Sequence, residues 1–529
     1  MKRKLINLVI TLVVGLIYFY FVLPAINFSD PGFYVFLCIL FIIYGILDLG
    51  SGAIDFIQKG KLHNQFKFNA IFLFPIVVIG IILLNFVASP IFDSKSYANR
   101  ITIDETGDFS RDIANVDFKK VPLLDKDSSQ KLGDRAMGEM SDLVSQYYVS
   151  DLYTQINYKE DIVRVTPLEY ADIIKYISNR KEGIKGYITV NSVTGEANVV
   201  RLESGMKYVP SAIFSKDMMR HLRFKYPTAI FGTYSFEIDD EGNPFFVIPK
   251  IKYSMVGLKR DIAGVVVLNP ISGDTEYYEV GEIPTWIDHV YEPDLIIEQT
   301  DDWGTYKGGF WNSLFAQKNV VNTTDGYNYL AMDGDIYLYT GITSIQSDES
   351  NLGFILANMR TKETVFYSAP GAEEYSAMAS AEGQVQEMKY TSTFPLLINL
   401  NGRATYLVSL KDDAGLVKKY AFIDVQDYQK VSVSDVTLGI DKAASAYLNS
   451  FNLASVGESE EAVIKIASIN TAIIDGNTFY YLIDDEKNRY SVSIVIANDI
   501  LPFLTVGDTV KVSYIDGEVR SINDISLNN

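Results

Sequence analysis

An eleven-residue pattern, met three times, constrains this chain more than any other feature. Its clearest copy is Gly264-Val-Val-Val-Leu-Asn-Pro-Ile-Ser-Gly-Asp274. An earlier copy is Gly186-Tyr-Ile-Thr-Val-Asn-Ser-Val-Thr-Gly-Glu196, and a looser later one is Gly353-Phe-Ile-Leu-Ala-Asn-Met-Arg-Thr-Lys-Glu363. Each reads as a buried strand running into a tight turn, because Asn and Gly tolerate positive φ and Ser/Thr bonds the local backbone. Repetition of this kind predicts tandem modules rather than one enzyme core.

The modules must follow a membrane segment. Residues 1–91 hold three acids (Asp30, Asp48, Asp55) and six Lys/Arg, whereas 92–529 hold 63 acids and 40 Lys/Arg, a net charge of −23. Three apolar runs, Leu5–Phe28, Phe33–Leu47 and Ala70–Ala88, approach the roughly 20 residues that a helical crossing needs. Met1-Lys-Arg-Lys4 precedes the first, and Lys59, Lys61 and Lys67 separate the second from the third, while Asn27–Gly32 carries no Lys or Arg. Three transmembrane helices within residues 1–91 and positive-inside bias then predict a multi-pass anchor in the bilayer through residues 5–88, with a cytoplasmic N-terminus and residues 92–529 extracytoplasmic. No small-x-small cleavage site follows the first run, which argues against a removed signal peptide. Asp48 lies at an end of its run and no other acid, base or His lies mid-span, so the bundle reads as an anchor and not an ion path. The single cysteine, Cys38, lies in the second run, so the large region forms no disulfide and relies on core size, as suits a bacterial envelope.

The large region reads as α+β. Residues 92–129 lack periodicity and read as a linker. Leu132, Ala136, Met140, Leu143, Val144 and Tyr147 predict a helix over 130–147. Thr166-Pro-Leu-Glu169 resembles a helix start, with Thr as cap and Pro at the first position, predicting a helix to about Ser178. A short helix over Ser215–Phe224 precedes a hairpin, Tyr234–Ile238 and Phe245–Ile248, turning at Asp239–Asn243. The same order returns as a helix over Ala372–Gln386, strands Leu396–Asn399, Thr405–Leu410 and Lys419–Val425, and a degenerate ending Asp424-Val-Gln-Asp-Tyr-Gln-Lys430.

Helix, hairpin, and a strand ending in Asn-x-x-Ser/Thr-Gly-Asp/Glu resembles the PepSY domain family. The resemblance implies a helix packed on a small antiparallel sheet, over 130–300 and again within 301–457, and interaction or regulation rather than catalysis. Residues 458–529 predict five short strands, with Pro502-Phe-Leu-Thr-Val-Gly-Asp-Thr-Val510 before the fourth. This stretch resembles an OB-like barrel. OB folds often bind nucleic acid through basic grooves; twelve acids against five bases here exclude that and leave a structural or docking role.

Residues 283–321 hold all three tryptophans, Trp286, Trp303 and Trp311, with Phe310 and Phe315. They read either as core between modules or as a docking surface for an envelope protein or a second copy. His221 and His289 stand outside any metal-binding or triad pattern, and no serine elbow, Walker loop or dinucleotide fingerprint is present. The sequence therefore predicts no catalytic residue and no cofactor. Most carboxylate clusters sit at hairpin tips; Asp333 and Asp335 are the one calcium candidate. The functional expectation is a non-enzymatic membrane-anchored scaffold or adaptor. The alternatives are a carboxylate-dependent envelope hydrolase and an accessory subunit of a transport or regulatory complex.

Overall fold

The computed structural model describes residues 2–59, 70–345, 347–450, 459–474, 477–494, 496–497, 500–515 and 519–527. It is a mixed α+β chain with two N-terminal apolar helices and several antiparallel sheets. The Lys61–Lys67 stretch and the turns at Asp475–Gly476 and Asp516–Glu518 lie outside the described residues.

Helices α1 (Lys2–Val22) and α2 (Pro31–Lys59) are long and apolar enough to span a membrane. They run antiparallel: Tyr18 stacks on Phe36 at 5.5 Å, and Asn7 Nδ2 donates to Ser51 Oγ at 3.3 Å. Asp48 is buried beside this polar seam near the end of the apolar window of α2. The third apolar run is shorter than expected. A 3-10 turn, Ala70–Phe72, leads into the 15-residue α3 (Leu73–Val87), which bends by 62° into α4 (Pro90–Ala98). Pro90 explains the break, since it cannot donate a helical hydrogen bond. Only the bent pair together reaches spanning length.

The region expected to be a linker is instead an ordered arm. It contains β1 (Ile103–Gly107), α5 (Phe109–Asp112) and a 3-10 turn at Phe118–Lys120.

Four modules follow, each with a five-stranded sheet and one helix, or three in the first. The first comprises α6 (Lys126–Gly138), α7 (Ser141–Val144), β2 (Tyr147–Val149), β3 (Thr154–Tyr158), β4 (Asp161–Tyr170), α8 (Ile173–Asn179), β5 (Ile184–Asn191) and β6 (Ala197–Met206). The second has α9 (Met218–Lys225), β7 (Ile230–Phe231), β8 (Ser235–Ile238), β9 (Pro244–Lys252), β10 (Asp261–Leu268) and β11 (Thr275–Glu279). The third has α10 (Pro293–Tyr306), β12 (Val321–Thr323), β13 (Asn328–Met332), β14 (Asp335–Ser344), β15 (Ser347–Asn358) and β16 (Thr364–Ala372). The fourth has α11 (Glu374–Gln384), β17 (Thr391–Ser392), β18 (Leu396–Leu400), β19 (Arg403–Lys411), β20 (Val417–Asp424) and β21 (Val431–Asp435). In each, the first two strands share one edge of the third, and the chain then meanders outward. β1 extends the third sheet by pairing parallel to β16.

The repeat pattern lies between the last two strands of each module. Asn191, Asn269 and Asn358 each accept two backbone N–H groups on Oδ1, at 2.8–3.1 Å. Gly195, Gly273 and Lys362 follow with φ of 77°, 86° and 66°. The fourth copy closes through Asp424, whose Oδ1 accepts Asp427 N at 2.8 Å.

Thr166-Pro-Leu-Glu169 is strand, not helix. These residues complete β4, which is buried almost throughout, and the helix starts at Ile173 with Asp172 as its cap. Burial in a central strand outweighed the local capping pattern. The helix expected over 130–147 likewise ends at Gly138, and Tyr147 begins β2.

The sheets pack face to face in sequence. Alternate residues of the second sheet serve two cores: Phe246, Ile248, Val266 and Leu268 face the first module, and Val247, Val265 and Val267 face the third. Strand periodicity makes this possible. The third and fourth sheets share another core around Tyr339, Phe354 and Tyr406. The arm then runs between the fourth sheet and the first: Val116 N donates to Asn399 O, Ser409 Oγ to Leu123 O, and Leu124 N to Ser192 O. An ion pair, Lys411–Asp125, completes the closure. The result is a ring of four sheets.

α12 (Ile440–Asn449) covers the outer face of the fourth sheet. β22 (Ser459–Ile474), β23 (Asn477–Asp484), β24 (Arg489–Ser493), β25 (Thr509–Ile515) and β26 (Arg520–Leu527) then pair cyclically, β22-β23-β24-β26-β25 and back to β22, around a core of their own.

Candidate ligand site at the centre of the ring

The first hairpin strand of each module opens toward one cavity of about 590 Å³. An aromatic residue at or just before the start of that strand lines it in every module: Tyr153, Tyr234, Tyr327 and Phe394. The matching stretches are Tyr153-Thr-Gln, Tyr234-Ser-Phe, Tyr327-Asn-Tyr and Phe394-Pro-Leu. An aromatic followed by a small, polar or Pro residue at strand entry was therefore a legible fourfold pattern. Sequence reasoning missed it because the motif is only two residues long.

The deep polar groups come from the first module. Gln155 and Arg164 face each other across the β3–β4 hairpin. Arg164 is 7% exposed; among the described residues its guanidinium has no hydrogen-bond or ion-pair partner, and its Nε is buried. Burial pushes its pKa down to about 10, while the Tyr329 hydroxyl and the Asp125 carboxylate pull weakly the other way. Gln155 is 2% exposed, and neither its Oε1 nor its Nε2 has a partner. A buried polar group without a partner costs about 1–3 kcal/mol, and a charged one more. His289 fixes the strand by donating Nε2–H to Gln155 O at 2.6 Å, and its ring meets Tyr329 edge-on at 5.5 Å.

The nearby acids are mostly engaged. Asp125 caps α6 and pairs with Lys411. Glu292 accepts Thr233 N and pairs with Arg260 at 3.1 Å. Asp127 and Asp294 remain on the cavity lining. A second pair, Glu237 and Asp288, is sealed beneath it. Glu237 accepts Ser235 Oγ at 2.6 Å and Asp288 N at 2.8 Å, and Asp288 accepts Asn157 N at 2.7 Å. Burial, then the Glu237 charge, holds the Asp288 carboxyl well above the usual range. This pair clamps the loop before α10 and does not reach the cavity.

The residues singled out from sequence fall in several places. Trp286 and Trp303 are partly buried in the core between the second and third modules. Trp311 and Phe315 are exposed, 61% and 74%, and stack on each other at 5.9 Å beside Phe310. Asp335 is not poised for calcium: Arg360 donates to both its oxygens at 2.8 and 2.7 Å, and Asn358 Nδ2 bonds it at 2.8 Å. Asp333 sits at the turn tip with φ 52°. No group of three His, Cys, Asp or Glu among the described residues is arranged to hold a metal.

No family model matches the chain, and no curated protein matches it. Among solved structures it aligns with a crystal structure of an ACO/RPE65 chimera at 7% identity and a TM-score of 0.13, covering 69% of this chain. The chain spans 58% of that protein's length. A likeness this small carries no argument about fold or activity.

Proposed function

We propose that this chain is a membrane-anchored extracytoplasmic adaptor that binds a small carboxylate-bearing ligand in the central cavity and acts through contact with other envelope proteins. One observation carries the reading: Arg164 is buried at the cavity, and among the described residues no carboxylate pairs with it. A ligand carboxylate supplies the missing charge and the paired acceptors that a guanidinium fork fits. The free amide of Gln155 adds a donor, the four aromatics a wall for an apolar body, and Asp127 and Asp294 a place for an ammonium. A zwitterion of amino-acid or short-peptide type meets all four demands.

Several further readings support this assignment. Each module is PepSY-like, supported by the helix-plus-antiparallel-sheet plan and the shared Asn turn. The C-terminal barrel is OB-like, supported by its pairing order and the parallel pairing of its third and fifth strands. The ring and the α1–α2 connection share one side of the bundle: Ile26 N donates to Pro227 O at 2.8 Å, and Gly257 N to Ser29 O at 3.0 Å. With the lysine bias of the opposite end, this supports an extracytoplasmic ring and a third crossing through the bent pair α3–α4.

The test is thermal denaturation of the full-length protein in detergent with amino acids and short peptides, each beside its carboxamide. Free carboxylates are expected to raise the melting temperature and carboxamides not, with the shift lost in Arg164→Met. Equal shifts from acid and amide, or shifts that survive in Arg164→Met, would overturn the assignment.

A further inference from the structure

The ring carries two exposed apolar patches that belong to none of its cores. The first is on α8 and the loop before α9. Ile173, Ile174 and Ile177 are 52–68% exposed while Tyr176, on the other side of α8, is buried. Tyr176 Oη donates to Ile213 O, beside Phe214, which is itself 63% exposed at φ 56°. A phenylalanine in the left-handed region is strained, and such strain persists where a function holds it. Arg220 links this patch to the membrane: Nη1 donates to Phe214 O at 2.8 Å and Nε to Tyr20 O at 3.1 Å, at the end of α1. Phe224 extends the patch onto Phe19 at 5.8 Å.

The second patch is Trp311, Leu314 and Phe315, on the turn beyond the C-terminus of α10. α10 packs antiparallel on α4, with Tyr306 against Tyr97 and Asp302 against Arg100. Its C-terminal end therefore points back toward Pro90, where the chain leaves α3, and toward exposed Phe92. Between 214 and 226, four Lys/Arg (Lys216, Arg220, Arg223, Lys225) face one acid, Asp217, on a region that is otherwise strongly acidic.

We infer that both patches insert into the bilayer interface, so that the ring lies on a lipid surface rather than standing off it. Continuity with the membrane helices selects lipid over a protein partner. The first patch touches the end of α1 through Arg220 and Phe224, and the second lies on the end of α10 that points toward Pro90; Lys216, Arg220 and exposed Lys225 suit anionic headgroups, whereas Arg223 is buried on backbone carbonyls. Amphipathic aromatic side chains favour this depth, about 5–10 Å into the headgroup boundary. The inference is independent of the cavity ligand.

The experiment uses the full chain reconstituted into phosphatidylcholine–phosphatidylglycerol vesicles. In Trp286→Phe/Trp303→Phe, Trp311 is the sole tryptophan; its emission is expected to shift to the blue and to be quenched by lipids brominated high on the acyl chain. In Cys38→Ala, a nitroxide at Ile174→Cys is expected to be more accessible to oxygen than to an aqueous nickel chelate, and a nitroxide at Phe315→Cys serves if the tryptophan variant does not fold. Probes that report water at both positions overturn the proposal. So do probes shielded from water and lipid alike, which would mean that protein covers the face.

Discussion

Arg164 and Asp288 show how differently two buried charges are handled. The first keeps its charge facing a cavity; the second gives it up. Replacing an uncompensated buried ion by an apolar side chain of similar size removes the cost of keeping that charge out of water. Arg164→Met is therefore expected to melt higher than the parent without ligand, measured by calorimetry, while losing ligand response. For Asp288 the sign runs the other way from an ordinary ion pair. Its raised native pKa means the folded state holds an extra proton above about pH 4, where the unfolded carboxyl ionises. Stability from this group is fully present below that pH and falls as pH rises toward the native value. Asp288→Asn should raise the melting temperature at pH 8 more than at pH 5; an equal shift at both would refute the account. Asp335, tied to Arg360 and Asn358, predicts no melting shift with millimolar calcium.

At the scale of the element, the repeated turn explains why three copies tolerate different residues at one position. Gly273 has φ 86°, and a Cβ there would meet the Tyr208 ring at 2.4 Å. At Gly195 the nearest side chain, Leu124, would be at 3.4 Å. Both alanine variants carry the left-handed penalty of about 1–2 kcal/mol, but Gly273→Ala adds a clash and should lose clearly more in urea denaturation. Lys362 departs from Gly for a tertiary reason. Its Nζ reaches Asp261 at 2.9 Å, Arg100 O at 3.0 Å and Gln299 Oε1 at 3.2 Å. Lys362→Gly relaxes the backbone yet is expected to destabilise the protein, because three charge-assisted bonds between the second and third modules and the arm are lost.

For the whole molecule, closure rests on the arm and on Lys411–Asp125. Burial alone would raise the Asp125 pKa, but bonds from Lys411 and Ser128 hold it below the usual range. A depressed carboxyl stabilises above its unfolded pKa, near 4, and that contribution fades as pH falls through the native value. Lys411→Met should flatten the acid side of the stability profile and loosen the first module against the fourth, read by hydrogen exchange over 123–131. The barrel has a separate core, so removing residues 451–529 should leave the melting of the ring unchanged and abolish one transition.

Much of this plan was legible in the residues. The apolar runs, the Asn turns, the hairpin at Asp239–Asn243 and the five C-terminal strands depend on local chemistry, where side-chain type fixes the backbone within a few positions. Thr166–Glu169 misled because a good capping pattern was overridden by a strand buried on both faces. The arm was unreadable because its contacts lie up to 286 residues away. The cavity stayed hidden for the same reason, although its four aromatics stand in the sequence at matching places. By itself, then, the sequence determined apolar N-terminal helices, repeated β modules and an acidic surface, since these follow from composition and short periods. Only the tertiary structure decided that four sheets close on one another, that Arg164 has no partner among the described residues and that Trp311, Leu314 and Phe315 stay exposed, because each depends on which distant surfaces burial brings together.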